Sequence, residues 1–174
     1  MNHPREQSFD TGTANLQQIS EFLVKEASLL DERRFEEWME LFDETGVYWA
    51  PTSHSQVSPL TEVSIFYDDR VLMKQRITRL RHERIHIQSP PSRTVHIVDN
   101  PVICEQRPEA GTLVVSSKFI MVEYRPSVPE GVQKLFAGEY RHTLRRNGSS
   151  FLILEKKATL VNCDAVFAPM ALYF

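Results

Sequence analysis

Between Leu16 and Leu30 the apolar residues Leu16, Ile19, Phe22, Leu23, Ala27 and Leu30 return every three or four positions, the spacing that lays one apolar stripe along a helix. Asp31 follows as a good N-cap for a second helix, ERRFEEWMELF, which turns Phe35, Trp38, Met39 and Phe42 toward a core. TGVYWAP then reads as a short strand stopped by Pro51, and TSHSQVSPLTEVSIF as a loop or irregular edge. A third helix is predicted from about Asp68 through DDRVLMKQRITRLR. Its acidic start and basic end both match the helix dipole.

Beyond Pro90 and Pro91 the chain changes to strand formers. RTVHIVDNPVICEQ is β-branched and extended; PEAG turns into TLVVSSKFIMVEYR, and PSVPEG into VQKLFAGEYRHTLRR. NG at 147 and 148 is a hairpin signal leading into SFLILEKKATLVN. Phe136, Gly138, Tyr140, His142 and Leu144 share one strand face, and Gly138 signals a bend or bulge. Helices followed by long antiparallel strands predict an α+β fold with the helices on one face of a sheet. A strongly curved sheet around those helices makes a cone with a cavity; a flat, filled sandwich satisfies the same pattern. The expected layout is a single domain over 1–174: a flexible arm at 1–14, a mainly helical part at 15–82, long antiparallel strands at 93–163 and a tail at 164–174.

Length and composition support one domain with a real core. A chain of 174 residues buries roughly 70% of its unfolded surface. With 41% hydrophobic and 25% charged residues it is ordinary globular material, and a net charge of −3 draws it to neither nucleic acid nor acidic membranes. The two cysteines, Cys104 and Cys163, are far apart and fit a reducing compartment. The start, MNHPREQSFDTGTAN, has no apolar signal core, and no apolar run is long enough to span a bilayer. A soluble cytoplasmic protein is expected.

One string suggests metal chemistry. Residues 82 to 86 read HERIH, the H-E-x-x-H spacing by which one helix offers two imidazoles to zinc and a carboxylate as general base. Its surroundings argue against that reading. Ile85 and Ile87 are spaced by two, and Pro90 and Pro91 follow, so the helix is expected to fray or end there. Ser89 and Ser92 stand where the extended zinc-protease motif wants Gly and His, and Glu105 falls on a predicted strand. No phosphate loop, dinucleotide fingerprint or nucleophile elbow is present. The basic run Arg70, Lys74, Arg76, Arg79, Arg81 and Arg84 is interleaved with acids and reads as a solvated or subunit-facing surface.

A second candidate is a carboxylate and histidine pair in a cone cavity. Tyr67, Asp68 and Asp69 sit together, and His96 and His142 lie on strands; an apolar pocket would tune such groups for proton abstraction. The plainer reading makes Asp69 and Arg70 cap and ion-pair partners, with the histidines bonded to backbone.

FLVKEASLLDERRFEEWMELFDETGVYWAP, FYDDRVLMKQRITRLR with PPSRTVHIVDN, and LVNCDA occur in this order between Leu16 and Ala165. Together they resemble the small (β) subunits of aromatic-ring-hydroxylating dioxygenases. The resemblance implies a cystatin-like, nuclear-transport-factor-like cone. It also implies a large (α) subunit carrying a Rieske iron–sulfur cluster and a mononuclear iron, assembled with this chain as three plus three, with a homotrimer of this chain likewise expected. Such complexes add dioxygen to an aromatic ring with electrons from NAD(P)H, and the small subunit carries neither metal nor catalytic residue. On that reading Asp69 and Arg70 cap and brace the third helix, Arg93 and Thr94 open the first long strand, and Arg93 partners a buried or interfacial carboxylate. The family has a bulky aromatic near position 86 where this chain has His. NCDAVFAPMALYF is similar to aromatic-acid members such as the benzoate group. The alternatives are a stand-alone cone-fold lyase, isomerase or hydrolase using Tyr67, Asp68, His96 and His142, and a zinc hydrolase at His82 and His86.

Overall fold

The computed structural model describes residues 15–81, 90–126, 129–167 and 172–174. The expected arm at 1–14 and the HERIH string lie outside the described residues. Helix α1 (Leu16–Asp31) starts at Asn15, whose side chain accepts from the Gln17 N–H at 3.0 Å. Its stripe buries Ile19, Phe22, Leu23, Ala27, Leu29 and Leu30, while Leu16, at the exposed first turn, remains 47% accessible.

Asp31 does not cap the second helix. It is the last residue of α1, and Arg33 turns the chain with a positive φ of 57°. Helix α2 is therefore only Phe35–Met39, and its N-cap, Arg34, makes no side-chain cap bond. The Asp31 carboxylate is drawn instead to strand groups 63 and 65 positions away.

The expected mainly helical part contains two strands. β1 (Phe42–Pro51) is longer than the short strand read from the sequence, and β2 (Ser64–Asp69) arises from the segment taken as an irregular edge. The β1–β2 register shifts between Ala50 and Pro51, where proline has no N–H to give the ladder. Helix α3 runs Arg70–Arg81, so Asp68 and Asp69 end a strand rather than open the helix. Asp69 still accepts from the Leu72 N–H at 2.9 Å.

After α3 come β3 (Arg93–Arg107), a 3-10 turn at Pro108–Ala110, β4 (Thr112–Arg125), β5 (Val132–Asn147) and β6 (Ser150–Leu160). All six strands form one sheet in the order β2-β1-β6-β5-β4-β3. Among the described strands, β1 and β6 run parallel and the other neighbouring pairs antiparallel. Helix α1 packs across the inner face, touching β3 at one edge and β6 toward the middle. The core lies between them, from Ile19 and Trp38 on the helices to Met121, Tyr140, Leu144 and Ile153 on the strands.

Gly148 makes the β5–β6 turn with φ of +60°. No register break falls at Gly138; the irregularity in this pair is between Thr143 and Leu144. Gly138 is needed for close approach, because a Cβ there would collide with the Thr159 carbonyl of the neighbouring strand. Gly138→Ala is expected to destabilise the chain by about 1–3 kcal/mol in urea unfolding, the range for overpacking a filled site. An unchanged midpoint would show that β6 can move away.

Candidate functional site

The inner face of α1 carries two carboxylates, and each meets a histidine on the sheet. Glu26 occupies a position in the apolar stripe and is 2% exposed. Its Oε1 accepts from Lys156 Nζ on β6 at 2.7 Å and from Trp38 Nε1 on α2 at 3.2 Å; its Oε2 lies 3.0 Å from His142 Nε2 on β5. Asp31, at the end of the same helix, accepts from the Thr94 hydroxyl at 2.8 Å and the His96 N–H at 2.8 Å, and lies 2.6 Å from His96 Nδ1.

A buried carboxylate is tolerable only when paired and fully hydrogen-bonded. Burial opposes the charge on Glu26, but Lys156 and His142 together outweigh it and hold the carboxyl far below its ordinary range. Burial is also the largest influence on His142 and pushes it down despite Glu26. A neutral ring that donates Nε2–H to Glu26 suits that balance, and it leaves Nδ1 without a partner among the described residues. Burial lowers Lys156 in the same way, and Glu26 opposes the shift.

The last described residues close the interior. The Phe174 ring packs against Phe66 and Phe136 at centroid distances of 5.6 and 5.3 Å. Its main-chain oxygen accepts from Lys156 Nζ and from the Tyr48 hydroxyl, both at 3.2 Å. Tyr173 sits between Trp38 and Tyr48, with centroid distances of 4.6 and 4.9 Å, and its hydroxyl donates to Asp68 at 2.7 Å. Leu172, Tyr173 and Phe174 are all buried, so aromatic side chains fill the space where a cone cavity was expected.

The structure therefore separates the cavity candidates. Asp68 is buried and held by Arg76 of α3 and by Tyr173. Tyr67, its neighbour, lies on the outer face of β2 and is 38% exposed. His96 and His142 are committed to Asp31 and Glu26, and no hydrogen bond links either to Asp68 or Asp69. His96 faces a narrow crevice closed by Leu172 and Tyr173, where its Nε2 has no partner among the described residues. Among the described residues, these four side chains do not converge on one site.

Arg70 donates to the Phe42 carbonyl at 2.7 Å and to Glu40 at 2.8 Å, tying α3 to the turn before β1. Thr94 holds Asp31. Arg93 lies exposed over the Tyr124 ring at 5.0 Å, and among the described residues no carboxylate pairs with it. Three cations of the basic run, Arg70, Arg76 and Arg81, pair with Glu40, Asp68 and Glu36 inside the chain. Among the described residues no group of three His, Cys, Asp or Glu could hold a metal, and no helix is long and apolar enough to cross a membrane.

A family model described as the ring hydroxylating beta subunit matches residues 25–165. The chain belongs to that family. It is 36% identical over 140 residues to the benzene 1,2-dioxygenase subunit beta of Pseudomonas putida, covering 76% of this chain and 73% of that one. The β subunit of benzoate 1,2-dioxygenase from Burkholderia mallei superposes with a TM-score of 0.72 at 22% identity, over 90% of this chain and 97% of that one. A nuclear-transport-factor-like protein with a cystatin-like fold from Novosphingobium aromaticivorans superposes with a TM-score of 0.53 at 15% identity, covering 84% and 81%. The β subunit is the non-catalytic part of its oxygenase.

Glu26 and Lys156 were not among the residues singled out from the sequence, and Asp31 was read there only as an N-cap. Glu26→Gln is expected to destabilise the β subunit by about 3–5 kcal/mol, because it strands the Lys156 charge in the core. Acid should also unfold the chain early. Unfolded His142 gains a proton near the ordinary value of 6.5 and folded His142 resists it, so stability falls as pH drops through that range. Below the ordinary glutamate value of 4.5, unfolded Glu26 also binds protons before the folded carboxyl does, and the loss steepens. In urea titrations at pH 7 and 5, His142→Gln should flatten the dependence by up to about 1.4 kcal/mol per pH unit. Equal slopes for variant and wild type would place the acid sensitivity elsewhere.

Proposed function

We propose that this chain is the structural β component of an oxygenase that places both atoms of dioxygen on an aromatic ring, using electrons from NAD(P)H. Its partner is a large subunit carrying a Rieske cluster and a mononuclear iron, and the two assemble as three plus three. The observation that carries this reading is how the described interior is filled and tied together by Glu26, Tyr173 and Phe174. Among the described residues Glu26, Asp31 and Asp68 are each bound to other elements of the same chain, with Glu26 serving α1, α2, β5 and β6 at once. Such a core makes a rigid body and leaves the outer surface for contacts. The absence of a C-x-H…C-x-x-H pattern from the sequence supports placing the redox centres in the partner.

Co-expression with a cognate large subunit should yield a complex that forms a cis-dihydrodiol, while this chain alone forms none. Turnover by the isolated chain, or failure to bind that subunit, would contradict the proposal. Asp68→Asn separates this reading from the cavity-enzyme alternative. It is expected to lower stability by loosening Arg76 and Tyr173, yet leave turnover per assembled complex at the wild-type level. A general base at this position would instead make turnover fall by about 10²–10⁴-fold.

A further inference from the structure

Phe174 is held by the chain's interior much as a small molecule would be. Its ring lies against Phe66 and Phe136, in an aromatic wall that Tyr48 continues, with its ring 6.0 Å from that of Phe66. Its main-chain oxygen takes two donors, Lys156 Nζ and the Tyr48 hydroxyl, and its N–H donates to the same hydroxyl at 3.3 Å. Among the described residues no backbone–backbone hydrogen bond joins Leu172, Tyr173 or Phe174 to a helix or strand. What holds Phe174 is therefore the side chains of the walls, not a ladder.

Those walls balance their charges without it. Glu26 keeps Lys156, His142 and Trp38, and Asp68 keeps Arg76, whether or not Phe174 is in place. Phe174 draws only on spare capacity: an ammonium proton of Lys156 that Glu26 does not use, and the Tyr48 hydroxyl. Burial keeps that hydroxyl protonated, so it remains a donor. A charged occupant is disfavoured, because an anion would stand beside Glu26 and a cation beside Lys156, each taken out of water. The chemistry that fits is an apolar ring with an uncharged acceptor oxygen.

We infer that Phe174 occupies a binding site for a neutral single-ring aromatic compound bearing a carbonyl or hydroxyl oxygen, and that such a compound enters by displacing it. The ring of the ligand takes the place between Phe66 and Phe136, and its oxygen takes the two donors. The Glu26 cluster is the same in both states, so α1 stays docked on the sheet. The exchange goes beyond the scaffold role and needs no large subunit.

The test uses the full chain with three probes of similar size: acetophenone, toluene without the oxygen, and benzoate with a charge. In the wild type, acetophenone should speed hydrogen exchange at the Phe174 amide, read by NMR, and leave α1 and β6 amides unchanged; toluene and benzoate should do neither. Phe174→Gly removes the competing ring. By calorimetry it should bind acetophenone about tenfold tighter than the wild type does and about tenfold tighter than it binds toluene. Adding Tyr48→Phe should cut acetophenone affinity about fivefold and leave toluene unchanged. A Phe174 amide that acetophenone slows or leaves alone would overturn the inference. So would a folded Phe174→Gly chain that binds no acetophenone, or that binds toluene equally well, which would mark a mere void. Benzoate binding as tightly as acetophenone would overturn the neutral class of ligand.

Discussion

The structure depends on one buried carboxylate. Glu26 sits in the apolar stripe of α1, where a leucine would satisfy the pattern, and four elements converge on it: its own helix, Trp38 of α2, His142 of β5 and Lys156 of β6. A lone charge in this position would be intolerable, and the favourable balance exists only when every partner is in place. The cluster therefore acts as a register device. It admits one docking of α1 on the sheet, and Lys156 extends the same network to the Phe174 main chain. Asp31 repeats the device one helical turn and a half further on, fixing the end of α1 to the edge strand β3.

A core locked in this way explains how a fold of this shape serves as a scaffold. Within the described residues, Tyr173 and Phe174 fill space inside the curled sheet and bond Asp68 and Tyr48 there. Exposed on the outside are the apolar residues Val95 and Ile97 of β3, and Val57, Leu60 and Val63 between β1 and β2.

Much of the architecture was legible because it rests on local pattern. The α1 stripe, the change of period after Pro91 and the turn at Asn147 and Gly148 all read directly. The misreadings share a cause in long-range partners. Asp31 has the composition of an N-cap, yet Thr94 and His96 outbid that local role. Asp68 looks like a helix opener, yet the β1 ladder extends β2 through it. Lys156 was not singled out within the last strand; the irregularity opposite Thr143 and Leu144 shifts the strand's phase and turns Lys156 inward. Glu26 alone left a signal, a charge in the middle of an otherwise apolar stripe. The resemblance to the dioxygenase β subunits pointed to a scaffold; nothing in the periodicity could show that the tail closes the interior.

The central claim, that the interior cluster is structural and takes no part in the oxygenase reaction, is tested most directly by replacing the whole cluster at once. Apolar side chains of similar size at all three positions, Glu26→Leu with His142→Leu and Lys156→Met, leave no charge stranded and can be close to neutral for folding. The measurement is kcat of the reconstituted complex, normalised to assembled large subunit. A wild-type value is expected. A correctly folded and assembled complex with a strongly reduced kcat would contradict the account.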